Sequence, residues 1–197
     1  VNDAVIGADA GASLNIQGGI NGAHLITVGG SGTISITNTG LFGLWGLTKY
    51  GSGTTTLSVP LGPIVGTGTA FLVAGGSLVL SDAGTFNAST TITATVNQGA
   101  TLFINERTGA VIRDRLGSAA RTLTLNGGTF ALAATAASGS YSAQSFNTLI
   151  LGPGASVISN NSGGGALSVG SISFTGVTPG AGSTVDFQGD YLGQGST

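Results

Sequence analysis

The residues able to do acid–base or nucleophilic chemistry are few in this 197-residue chain. They are seven carboxylates, five basic side chains, one histidine and no cysteine. The carboxylates are Asp3, Asp9, Asp82, Glu106, Asp114, Asp186 and Asp190. Hydrolysis or elimination on a polysaccharide needs carboxylates converging on one bond, at separations of roughly 5 to 9.5 Å. Asp186 and Asp190 are close in sequence, but Gly189 between them reads as a strand end and turn, so the pair is read as structural. His24 is the single histidine, and a catalytic triad would need a nucleophile and an orienting acid beside it that cannot be named. There is no His pair, no Asp-rich calcium loop and no G-G-x-G-x-D nonapeptide, so no metal site is assigned. Gly163-Gly164-Gly165 is not followed by Lys-Ser/Thr or by a helix and does not read as a phosphate loop. No catalytic residue and no cofactor is assigned, and the chain is expected not to be an enzyme.

Two other groups of residues could make contacts rather than break bonds. Glu106 to Arg121 is the one charged island, carrying Arg107, Arg113, Arg115 and Arg121 with Glu106 and Asp114. Those four arginines could meet an anionic ligand or a neighbouring subunit. The alternative is a loop or short helix whose charges pair locally and face solvent. Gly40 to Gly51 is the most apolar stretch, with Leu41, Phe42, Leu44, Trp45, Leu47 and Tyr50. Strict alternation cannot bury all of these. They read either as a thick corner of the core or as an apolar patch for self-association.

The elements that must position these residues follow from composition and period. Gly contributes 37 residues and charged types only 6%, against roughly 25% in ordinary domains. Disorder is excluded by 41% apolar residues, a mean hydropathy of +0.42 and a net charge of −2. Val, Ile, Leu, Thr and Phe dominate between the glycines, which fits a pleated, half-buried surface. The best helix candidate, Arg113 to Ala120, is interrupted by Gly117. The fold expected is therefore all-β. A pI near 4.9 argues against nucleic acid, and no apolar run reaches about 18 residues, so no membrane insertion is expected. Val1 and Thr197 carry no start or end signal, and the chain is read as a single segment, 1–197, of a processed or longer repeat protein.

One phrase recurs: a small residue, Ser or Thr, then apolar–any–apolar. Its first apolar positions are Leu14, Ile34, Leu57, Leu78, Leu102, Phe130, Val157 and Val185, at intervals of 20 to 28 residues. Such a period marks a solenoid. Secondary strand-like pieces between the matches supply two or three short strands per coil. The expectation is a parallel β-helix, or β-solenoid, of about eight coils. Stacking explains the pattern: one coil cannot bury its own apolar row, whereas stacked coils bury a continuous one. Asn21-Gly22 and Asn126-Gly127 supply turn chemistry.

The phrase "LTKYGSGTTTLSV", Leu47 to Val59, resembles the passenger-associated repeat of autotransporter proteins, roughly L-x-K-x-G-x-G-x-L-x-L. Leu47, Lys49, Gly51, Gly53, Leu57 and Val59 carry the match, with extra threonines before Leu57. "FLVAGGSLVL", Phe71 to Leu80, and "RLGSAARTLTLNGGTFAL", Arg115 to Leu132, are similar to later parts of such repeats. Between Pro60 and Ala70 the sequence departs from that pattern. The resemblance implies a right-handed parallel β-helix, extracellular or on the cell surface, acting in display, adhesion or matrix. Its expected partners are other copies of itself or cell-surface and matrix components. Head-to-tail filament growth would use Val1, Val5 and Ile6 as an added strand, and Phe42, Leu44, Trp45 and Tyr50 as an apolar joint. The alternatives are a carbohydrate-binding adhesin module and, further off, a polysaccharide lyase or hydrolase.

Overall fold

The computed structural model describes residues 3–18, 20–22, 24–37, 41–42, 44–61, 69–86, 91–108, 111–117, 120–134, 141–161 and 169–190. Val1, Gly163-Gly164-Gly165 and most of the departure between Pro60 and Ala70 lie outside them. The described residues contain strands and turns and no helix. The first rungs hold β1 (Ala4–Ala8), β2 (Ser13–Ile16), β3 (Ile20–Asn21), β4 (Leu25–Gly30), β5 (Thr33–Ile36) and β6 (Leu41–Phe42). Then come β7 (Gly46–Tyr50), β8 (Thr54–Leu57), β9 (Pro60–Leu61), β10 (Thr69–Val73), β11 (Gly76–Leu80) and β12 (Thr85–Phe86). The later rungs hold β13 (Ile92–Asn97), β14 (Ala100–Asn105), β15 (Arg121–Asn126), β16 (Thr129–Ala133), β17 (Tyr141–Leu151), β18 (Gly154–Asn161), β19 (Val169–Pro179) and β20 (Ser183–Gly189).

These strands stack as a parallel β-solenoid. One eight-stranded sheet runs β1-β4-β7-β10-β13-β15-β17-β19 and a second runs β2-β5-β8-β11-β14-β16-β18-β20. A third, short side pairs β3, β6, β9 and β12. It continues without regular strands where Phe86 N–H donates to Arg115 O at 2.6 Å and Asp114 N–H to Ala143 O at 2.9 Å. The solenoid makes about six turns, slightly fewer than the eight coils the spacing predicts.

Alternation sorts the side chains. Burial in β13, β14 and β15 alternates strictly between buried and half-buried residues. The core ladder of the second sheet reads Leu14, Ile34, Thr55, Leu78, Leu102, Phe130, Ile158 and Phe187. Three expected members are displaced. Leu57 sits one step on, level with Ile36 and Leu80, so Thr55 takes the core position. Ile158 rather than Val157 faces inward, and Phe187 rather than Val185 pairs with it. Leu57 and Val185 are displaced by two residues and keep to the core face, whereas Val157 is off by one, which moves its side chain to the opposite face. Aromatic rings extend the packing: Phe71 and Phe86 stack at 3.8 Å, while Phe146 lies between Phe130 at 5.3 Å and Phe174 at 5.4 Å.

The corner joining the two long sheets explains the glycines of the repeat. A Cβ on Gly53 would lie 1.9 Å from Gly32 O on the rung before. Successive corners therefore touch backbone to backbone, at a separation that no side chain fits.

Candidate functional site

Lys49 lies inside the solenoid. It follows Leu47 by two residues, and in a strand that spacing puts both side chains on one face. Its neighbours in the ladder are Val28 and Val73, and all three are buried. The ammonium Nζ donates to Tyr50 O at 2.7 Å, Gly51 O at 3.1 Å and Gly75 O at 3.1 Å. Burial lowers its pKa below the usual value of 10.5. The lysine of the repeat thus ties the carbonyls of two adjacent glycine corners together. The signal was present in the Leu-x-Lys spacing, but lysine is so seldom an inward residue that alternation alone does not reveal it.

The charged island also turns inward. Glu106 continues the buried alternation of Leu102 and Ile104. Its Oε1 accepts from Arg115 Nε at 2.6 Å and its Oε2 accepts from Arg115 Nη2 at 3.0 Å, with both side chains fully buried. Arg115 Nη1 donates to Gly84 O at 2.7 Å, Arg115 N–H to Gln144 Oε1 at 3.0 Å, and Ile112 N–H to Glu106 Oε2 at 3.0 Å. This network holds the irregular third side in place where strands are missing. Removing one partner of such a pair is typically worth about 3–5 kcal/mol, because the other charge is left uncompensated. The expectation that these charges face solvent is therefore corrected for Glu106 and Arg115. Arg115 is also closed to any external anion.

Arg121 is mostly buried, and Nη1 lies 2.8 Å from Asp114 Oδ1. Nη1 has no aligned hydrogen bond, so this is a charge contact rather than a directed one. Arg107 and Arg113 remain exposed. Arg107 Nη2 donates to Asn161 Oδ1, and the Arg113 guanidinium lies 4.7 Å from the centre of the Tyr141 ring. Of the four arginines named from the sequence, these two keep an outward position.

The apolar candidates divide in the same way. Leu44 is in the core, Ile6 packs partly against it and Tyr50 is half-buried. Val5 is 69% exposed and Trp45 56% exposed. The strand position of Phe42 is described, but its side chain lies outside the described part. The set is therefore not one continuous patch, because alternation sends Leu44 inward and Trp45 outward. At the last described rung, Val177 and Phe187 are more than half exposed, although Leu149 and Ile158, on which they stack, are buried.

The remaining polar residues do not converge. Asp186 is exposed on β20 and accepts from Gln188 Nε2 at 2.8 Å. Among the described residues, no three of the His, Cys, Asp and Glu type group to hold a metal ion. No helix among them is long and apolar enough to cross a membrane. No family model matches the chain, and no curated protein or solved structure is significantly similar to it.

Proposed function

We propose that this chain is a structural element of a bacterial-type cell surface or matrix. In this reading it is a non-enzymatic β-solenoid of the autotransporter-passenger kind, exported and displayed outside the cell, serving adhesion or matrix formation. The observation that carries the reading is the parallel ladder of both long sheets, with the buried charges of Lys49, Glu106 and Arg115 engaged in holding coils together. Lys49 secures the glycine corners, and Glu106 with Arg115 secures the third side. Side chains in those roles serve stacking. The exposed Val177 and Phe187 extend the same logic, since a further rung laid on β19 and β20 would bury them. That rung could come from the same kind of chain, which gives head-to-tail growth.

Electron microscopy of unfixed protein over a range of concentrations tests this. Filaments with a constant axial repeat, lengthening with concentration, are the expected result. Isolated short rods at every concentration would remove self-assembly and leave the displayed scaffold. Cell fractionation of the native protein tests display, and recovery from the cytosol would sink it.

A further inference from the structure

We infer that His24 and Trp45 form a binding site for a neutral pyranose sugar on the outside of the solenoid. The inference stands apart from the scaffold reading and does not require self-assembly. Its basis is a pair of rings placed at the same point of two adjacent rungs. Leu25 of β4 pairs with Gly46 of β7, so the residues just before them, His24 and Trp45, are neighbours along the stack. Trp45 N–H donates to His24 O at 3.1 Å, continuing the ladder by one step.

Rungs of a parallel sheet are about 4.8 Å apart, a spacing that lets like rings stack flat on each other. These rings do not. Their centres are 6.0 Å apart and their planes are inclined by 51°. The result is a wedge, with the indole 56% exposed instead of covered by its neighbour. The imidazole is set from below. His24 Cδ2 would lie 3.2 Å from a Cβ on Gly22, so the ring occupies the space that a side chain at that position would need. His24 N–H also donates to Gly22 O at 3.0 Å. On the rung before, Asp3 Oδ1 accepts the Leu25 N–H at 3.1 Å, which anchors a carboxylate one residue along from the histidine.

An exposed indole offers a flat apolar face, and a pyranose offers a matching face of C–H groups. Imidazole and carboxylate supply the hydrogen-bonding partners that hydroxyls require. Charge selects among sugars. Asp3 lies beside the wedge, and the nearest base in sequence, Lys49, is buried and committed to carbonyls. An anionic sugar would meet negative charge without an accessible cation, so the ligand is neutral.

Trp45 is the only tryptophan of the chain, so its fluorescence reports this one place. The intact protein is titrated with cellohexaose, maltohexaose, xylohexaose and mannohexaose, and with oligogalacturonate as the anionic comparison. A saturable change in emission with at least one neutral sugar is expected, and oligogalacturonate should bind at least about tenfold more weakly. Calorimetry on Trp45→Ala and His24→Ala, each checked for an unchanged circular dichroism spectrum, should show at least about tenfold and several-fold weaker binding. Silence with every neutral sugar overturns the proposal. So does binding that survives Trp45→Ala, or a preference for oligogalacturonate.

Discussion

Lys49 and Thr55 are polar side chains on core ladders, and they make opposite demands. The ammonium of Lys49 is supplied with three carbonyl partners, whereas Thr55 Oγ1 is buried with no hydrogen-bond partner. Thr55→Val keeps the shape and removes the stranded hydroxyl. It should raise stability by about 1–2 kcal/mol, read from urea unfolding. A loss of stability would mean that the hydroxyl is satisfied in solution. Lys49→Met should destabilise the fold at neutral pH by about 1–3 kcal/mol, since three carbonyls lose their donor. Its pH dependence has a definite sign. Burial lowers the folded-state pKa, so the unfolded chain binds more protons at this group between that lowered value and 10.5. The contribution of Lys49 therefore rises as pH rises through that window. The stability gap between the wild type and Lys49→Met should widen toward alkaline pH, and a gap that narrows would contradict the assignment.

At the scale of the element, the decisive unit is the glycine corner between the two long sheets. Its glycines are chosen by close approach as well as by dihedral angle. Gly53→Ala would drive a methyl to 1.9 Å from Gly32 O, and backbone on both sides leaves nothing flexible to yield. A loss of about 3 kcal/mol or more is expected in denaturant unfolding, at the upper end of overpacking effects. Gly18→Ala is the control. A Cβ there meets nothing within 4 Å, and its effect should stay within about 0.5 kcal/mol. Equal losses at the two positions would mean that corner contact is not what selects glycine. The irregular stretch between Glu106 and Leu116 obeys a different rule. Its described residues belong to no strand and are held by a buried ion pair with main-chain partners.

Across the whole molecule, stability and function both depend on rung-to-rung contact. Each coil is covered by its neighbours, so core side chains of interior rungs are buried, while Val177 and Phe187 of the last described rung are more than half exposed. This is why the concentration dependence of rod length is the informative measurement for assembly. Contact between ends scales with protein concentration, whereas stacking within a chain does not. Binding at the His24–Trp45 wedge follows a different law. It lies on the side of the solenoid and is the same in a short rod or a long filament.

The strands, the stacking and the core rows were legible in the sequence because alternation and a recurring period are local patterns that burial imposes on any solenoid. The glycine turns were legible for the same reason. The pairing register was not, since Thr55 or Leu57, and Val157 or Ile158, satisfy the local pattern equally well, and only neighbouring rungs decide between them. Nor was the direction in which the charges point. Leu47-x-Lys49 and Ile104-x-Glu106 both carried the inward spacing, but a buried charge becomes tolerable only when distant partners surround it. Gly75 for Lys49, and Gly84 and Gln144 for Arg115, come from other rungs. His24 and Trp45 are 21 positions apart and share no motif. Their meeting is a product of the coil length, which brings equivalent points of successive turns side by side.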